Sequence, residues 1–274
     1  MNSIEDKISR KIYIVIGIVL CLTAIVMFNI QKSMYMASAN MPVSYTEGYG
    51  DETSYSSDEP VIEEDEHDIC DIEVERITIE DYTDDTYWNV RLVNKKELVD
   101  ANNKVVLGTL SNGKQVDKRI VDITNQMISD AQADGVSLIP CSAYRSYSYQ
   151  TGLYNKEVNS WLAQGYSDED ARELASREVA IPGTSEHQLG LAIDFLTKGY
   201  SSLDQGFENT DAFKWLDENA YKYGWILRYQ KGKEMYTGII YEPWHWRYLG
   251  PELAEKVKDS GLCYEEFLGR DYTF

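Results

Sequence analysis

The chain has 274 residues, with 26 Lys and Arg against 46 Asp and Glu and only 3 His, for a formal net charge of −20 at pH 7. A charge balance of that sign excludes a binder of nucleic-acid backbone, which needs a basic surface. The length suits one or two domains.

The first element is apolar. Lys7, Arg10 and Lys11 precede an uncharged run from Ile12 to Phe28, after which Asn29, Gln31 and Lys32 restore polarity. The run approaches the ~17–25 residues that span a bilayer, and is longer than the apolar core of a secretory signal. Residues 12–30 are therefore expected to be an uncleaved transmembrane anchor. The basic residues before it place a short tail, 1–11, in the cytoplasm and the remainder outside the cell. Ala37-Ser38-Ala39 offers a cleavage-like triplet, but well beyond Phe28, and Leu20 before Cys21 argues against lipoprotein processing.

Residues 31–86 are polar and acidic. Between Glu47 and Asp85 stand 17 Asp or Glu against Arg76 alone, so this stretch holds most of the negative excess. It cannot bury enough apolar surface to order itself, and repulsion keeps it extended, as a tether. His67, between Glu66 and Asp68, reads as a solvated histidine rather than part of a second metal site, because no ordered partner for it is apparent. Ile72, Val74, Ile77 and Ile79 hint at a short strand.

A folded domain is expected over 87–274. Trp88 to Asn94 is strand-like. Ile120, Ile123, Met127, Ile128 and Ala131 recur at helical spacing and stop at Gly135. Val136 to Pro140 reads as a short buried strand running into Ser142–Tyr147, followed by a helix over Tyr149–Leu162. Asp168–Val179 is a further helix with Ser167 as its cap. Phe213 to Tyr223 is amphipathic with a glycine stop at Gly224, and Trp225–Tyr229 is a strand. Its aromatics could make a glycan platform, but their placement on structured apolar faces favours core packing. Ile239–Tyr241 is expected to be the strand that delivers Glu242 and His245. Strands and helices alternating without a regular βαβ period or an internal repeat indicate an α+β domain. Of the cysteines beyond the apolar run, Cys70, Cys141 and Cys263, at most one pair can form a disulfide; Cys141 with Cys263 is the expected pair, both being in the domain.

Two of the three histidines lie in short segments that also carry carboxylates, Ser185-Glu186-His187 to Asp194 and Glu242-Pro243-Trp244-His245. His187, Asp194 and His245 can supply two imidazole nitrogens and a carboxylate oxygen, and three protein ligands leave a divalent metal one position for water. A nitrogen and oxygen donor set without thiolate suits zinc, one catalytic ion being expected. Such a centre hydrolyses. Glu242 is placed as general base and proton shuttle. Glu186 is its competitor, set aside because neighbouring residues of a strand face opposite ways. Pro243 after Glu242 disfavours a helix, so this is not the two-histidine helix of other zinc peptidases.

These motifs carry a resemblance. Ser185-x-His187, Gly190-x-Ala192-x-Asp194 and the distal Glu242-x-x-His245 are similar to those of the VanY-type D-alanyl-D-alanine carboxypeptidases, part of a metallopeptidase group with lysostaphin-like and hedgehog domains. The resemblance runs from about Tyr87 to Leu268. It implies a hedgehog/DD-peptidase-like domain with a central antiparallel sheet flanked by helices. It also implies removal of the terminal D-alanine from peptidoglycan stem peptides. Tyr144-Arg145-Ser146, followed by Gln150, resembles the family's "YRS…Q" segment. Arg145 is thereby assigned to the substrate and the transition state, its guanidinium forking toward a carboxylate or a developing oxyanion. Gln150, Ser185 and Trp244 are carried over as substrate contacts. The alternatives are an L,D-carboxypeptidase or endopeptidase of the same fold, or a non-catalytic cell-wall binding module; retention of His187, Asp194, Glu242 and His245 speaks against the last.

Overall fold

The computed structural model describes residues 87–270 and 273–274. The expected anchor, the acidic stretch with His67, the short strand over 72–79 and Cys70 lie outside the described residues.

A hairpin of β1 (Leu107–Thr109) and β2 (Gln115–Asp117) comes first. The central sheet is built from β3 (Ile139–Ser142), β4 (Ala192–Leu196), β5 (Trp225–Leu227) and β6 (His245–Tyr248), in the order β3-β4-β6-β5 with every pairing antiparallel. The longer helices are α1 (Val121–Ala133), α2 (Tyr147–Ala163), α3 (Asp168–Glu178), α4 (Asp211–Asn219) and, directly after the short link that leaves β6, α6 (Pro251–Ser260). Single-turn α5 (Glu234–Thr237) precedes β6 and α7 (Tyr264–Phe267) closes the order. The fold is thus a mixture of helices and antiparallel sheet.

Local chemistry explains most of these boundaries. α1 buries Thr124, Met127 and Ala131 along one stripe and the chain turns at Gly135, φ +83°. The side chains of Ser146, Ser167 and Thr210 accept from backbone N–H groups of Tyr149, Asp170 and Phe213, closing the first turns of α2, α3 and α4 as caps of this kind do. α2 and α3 pack on each other through Tyr154, Val158, Ala171 and Ala175.

The sheet has two unlike faces, because side chains alternate along each strand. Ile193 and Phe195 of β4, Trp246 and Tyr248 of β6 and Trp225 of β5 enter the main core with Met127, Trp215 and Leu216. The aromatics of 213–229 are core, as their apolar spacing suggests. The intervening positions, Asp194, His245 and Arg247, fall on the opposite face. There Ile226 joins a second cluster with Leu92, Ala254, Val257 and Tyr264.

Four expectations are corrected. Trp88–Asn94 is not a strand: its carbonyls at Asn89 and Arg91 accept from the Arg247 guanidinium at 2.9 and 2.8 Å, and Val90 O accepts from the Tyr264 hydroxyl, so side chains occupy the acceptors a neighbouring strand would use. Ile239–Tyr241 is not a strand either. Ile240 N donates to Arg177 O at 2.9 Å, against the end of α3, and the strand begins downstream at His245. Likewise β3 starts only at Ile139, since Val136 N is still bonded to Ala131 O of α1. Cys141 and Cys263 are both free thiols; the Cys141 thiol donates to Asp194 O at 3.2 Å, while Cys263 caps α7.

Candidate active site

Sheet register builds the first half of the site. Asp194 on β4 and His245 on β6 are directly opposed partners, and opposed residues of antiparallel strands bring their side chains within reach. His245 Nδ1 lies 2.9 Å from Asp194 Oδ1.

His187 arrives differently. The expected strand around it is a 3₁₀ turn, Glu186–Leu189. Gly190 ends the turn at φ +69°, and a Cβ there would stand 2.7 Å from Asp117 N, so a glycine is needed on both counts. His187 Nδ1 donates to Ala143 O at 2.7 Å. That bond leaves the Nε2 lone pair free to face Asp194 Oδ2, 3.3 Å away. Ligating atoms of His187, Asp194 and His245 all lie within 4.8 Å of one another, and all three residues are buried. His187 Nε2 makes no hydrogen bond. Two nitrogens and one carboxylate oxygen, converging in a closed interior with a donor lacking a partner, fit a divalent zinc.

Glu242 sits in the turn before β6. Its N–H donates to Tyr229 O and its carbonyl accepts from His245 N, each at 3.1 Å. That turn sets its carboxylate beside the triad, with Oε2 3.7 Å from His245 Nδ1. Burial pushes the Glu242 carboxyl up to about 8, with His245 opposing and Asp194 adding to the rise. Burial also raises the Asp194 carboxyl on its own, but His187 and Arg145 overcome it and hold the group well below the carboxylate range. Burial and the Arg145 charge bring His187 down to about 4. For His245 burial acts downward too, yet the Asp194 and Glu186 carboxylates facing its two nitrogens carry it up to about 9.

Arg145 leaves β3 toward the same point. Its N–H donates to His187 O at 3.1 Å, its Nε to Ser142 Oγ at 2.8 Å, and its Nη2 to Asp194 Oδ2. Gln150 Oε1 accepts from Arg145 Nη1 at 3.4 Å, and Gln150 Nε2 donates to Ala180 O at 2.7 Å, so both ends of this fully buried amide are used within the protein. Ser185 is buried at the start of the 3₁₀ turn. Trp244 packs in the main core, and its carbonyl accepts from Phe195 N at 2.9 Å.

Glu186 requires a correction. Strand alternation does not apply in a 3₁₀ turn, and Glu186 does not point away from the site. Its Oε1 accepts from Arg228 Nε at 2.8 Å and lies 2.8 Å from Arg247 Nη1, while Oε2 stands 3.8 Å from His245 Nε2. It backs the imidazole of His245, on the side away from Asp194. The arginines were not anticipated. The available signal was Arg228 and Arg247 inside the apolar runs Trp225–Tyr229 and Trp244–Leu249, where a buried charge demands a carboxylate partner.

A VanY family model, described as D-alanyl-D-alanine carboxypeptidase, matches residues 113–251. A D-alanyl-D-alanine carboxypeptidase of Enterococcus faecalis is 40% identical over 194 residues, covering 71% of this chain and 70% of that one. Among solved structures, a vancomycin resistance D,D-pentapeptidase VanY mutant in complex with Zn(II) superposes with a TM-score of 0.60 at 41% identity, over 66% of this chain and 99% of that one. The LdcB LD-carboxypeptidase gives a TM-score of 0.57 at 34% identity, over 65% and 85%.

Proposed function

Since the chain belongs to the VanY family of D-alanyl-D-alanine carboxypeptidases, we propose that its buried triad is the catalytic centre that releases the terminal D-alanine from peptidoglycan stem peptides. The enzyme is a zinc-dependent D-alanyl-D-alanine carboxypeptidase. The observation that carries the site assignment is the convergence of His187, Asp194 and His245 within 4.8 Å, with the Glu242 carboxylate 3.7 Å from His245 Nδ1.

His187, Asp194 and His245 hold the ion, which when bound acidifies water and polarises the scissile carbonyl. Glu242 Oε2 accepts the proton of the attacking water and returns it to the departing amine nitrogen of D-alanine. Burial keeps that carboxylate poorly solvated and so a better proton acceptor. Arg145, anchored by Ser142 and Gln150, directs its guanidinium at the substrate carboxylate or the oxyanion that develops beside the triad. Gln150 serves this arginine from within the protein, and Ser185, next but one to His187, is the substrate contact of the expected pair that lies at the site, Trp244 being packed in the main core.

An L,D-carboxypeptidase is the second reading, favoured by the likeness to LdcB. Digestion of purified pentapeptide and tetrapeptide muropeptides with and without chelator, with mass analysis of the released amino acid, separates the two. Chelator-sensitive release of D-alanine from the pentapeptide is expected; release from the tetrapeptide alone would replace the D,D reading with the L,D one. We also propose that residues 12–30 anchor the enzyme in the bacterial cell membrane with the catalytic domain outside, on the length of the apolar run and the basic residues before it.

A further inference from the structure

The sheet face that carries Asp194 and His245 also holds four fully buried charged side chains, Glu186, Arg228, Arg247 and Glu265. Arg228 forks onto Glu265, Nη1 to Oε2 at 2.8 Å and Nη2 to Oε1 at 2.6 Å. Its Nε donates to Glu186 Oε1 at 2.8 Å. Arg247 Nη1 lies 2.8 Å from the same oxygen, while its Nη2 donates to the carbonyls of Asn89 and Arg91. Both guanidiniums therefore converge on one oxygen of Glu186. The other, Oε2, is buried and makes no hydrogen bond; it faces His245 Nε2 at 3.8 Å, which is buried and makes none either.

The opposite nitrogen of that ring, Nδ1, is the one that faces Asp194. An imidazole ligates a metal through a nitrogen that carries no proton, so the remaining proton has to sit on the other nitrogen, where ligating histidines usually donate it to a carboxylate or carbonyl. We propose that Glu186 is a positioning residue for His245: its Oε2 takes the Nε2–H, fixing the tautomer and ring orientation that present the Nδ1 lone pair to the metal. Arg228 and Arg247 hold the carboxylate in place for this. The proposal rests on the zinc assignment above.

The arrangement makes a one-atom substitution informative. In Glu186→Gln the amide oxygen is drawn to the two guanidiniums and the NH2 group then faces His245 Nε2. A donor there favours the tautomer with the proton on Nδ1, where the metal should bind. Glu265→Gln removes the same charge from the same buried network without touching His245, and so reports the purely structural cost.

The test uses the full chain with 15N-labelled histidine, of which there are only three, loaded with zinc. Long-range 1H–15N spectra of the parent should show His245 protonated on Nε2 and ligating through Nδ1. By chelator competition Glu186→Gln should bind zinc about 10- to 100-fold more weakly, the range for loss of such a partner, whereas Glu265→Gln keeps the parent affinity while lowering the urea midpoint. Glu186→Gln with parent affinity, or Glu265→Gln weakened equally, would overturn the proposal. So would a parent spectrum with Nε2 as the ligating atom, a result that needs no variant to fold. A parent protein that binds no zinc, or binds it unchanged after His187→Ala, would instead refute the zinc assignment itself.

Discussion

Two clusters of buried charge share one face of the sheet, and they are built on opposite plans. Around Arg228 two guanidiniums meet two carboxylates, all fully buried, and Arg228 commits all three of its nitrogens to Glu186 and Glu265 at 2.6 to 2.8 Å. Around Asp194 the ligating atoms crowd together, yet His187 Nε2 has no hydrogen bond, and among the described residues only Arg145 brings a fixed positive charge to Asp194 and Glu242. A closed, neutral network is a structural strut, because each buried charge is compensated in place. An open one, with donors aimed at a common point, is arranged for a charge that the chain does not itself supply.

The comparison can be broken most sharply at the open cluster. His187→Ala, Asp194→Ala or His245→Ala should each abolish both zinc retention, read by metal analysis after gel filtration, and release of D-alanine; a variant that keeps both would remove its residue from the ligand set. Glu242→Gln should lower turnover by about 100- to 10,000-fold, the usual contribution of a positioned acid–base group, with zinc still bound near one per chain. Loss of the metal in that variant would make Glu242 a ligand instead of a base. The strut should answer in stability. Arg228→Ala leaves Glu265 buried without its charge partner and Glu186 with Arg247 alone, a change worth about 3–5 kcal/mol, seen as a lower urea midpoint in zinc-free protein. Arg145→Ala should retain zinc and a parent-like midpoint while raising KM and lowering kcat together. The smallest effect is expected far from either cluster: deleting Glu47–Asp85 should leave turnover of soluble peptides unchanged, and an inactive purified deletion would make that segment part of the fold.

The open cluster was the legible one. Histidine is scarce in this chain, so two of three beside carboxylates in short motifs stand out, and their partners are close in sequence or matched by register. The capped helices were legible for similar reasons, since Ser146, Ser167 and a regular apolar stripe act locally. The closed cluster was not, because Glu186, Arg228 and Glu265 are separated by 42 and 37 residues and meet only in the tertiary fold. Trp88–Asn94 misled through composition. Its residues suit a strand, but the acceptors of that segment go to Arg247 and Tyr264 from the distant C-terminal part.

The position of Glu265 bears on timing. A ribosome makes residues in order, and the carboxylate that forks onto Arg228 belongs to α7, the last helix of the domain. The other three members of the strut, Glu186, Arg228 and Arg247, therefore exist as a nascent chain before the residue that completes their neutrality. Until then the two guanidiniums have a single carboxylate, that of Glu186, between them. The strut therefore closes only when α7 docks, and its contribution to stability enters with the last helix of the described domain.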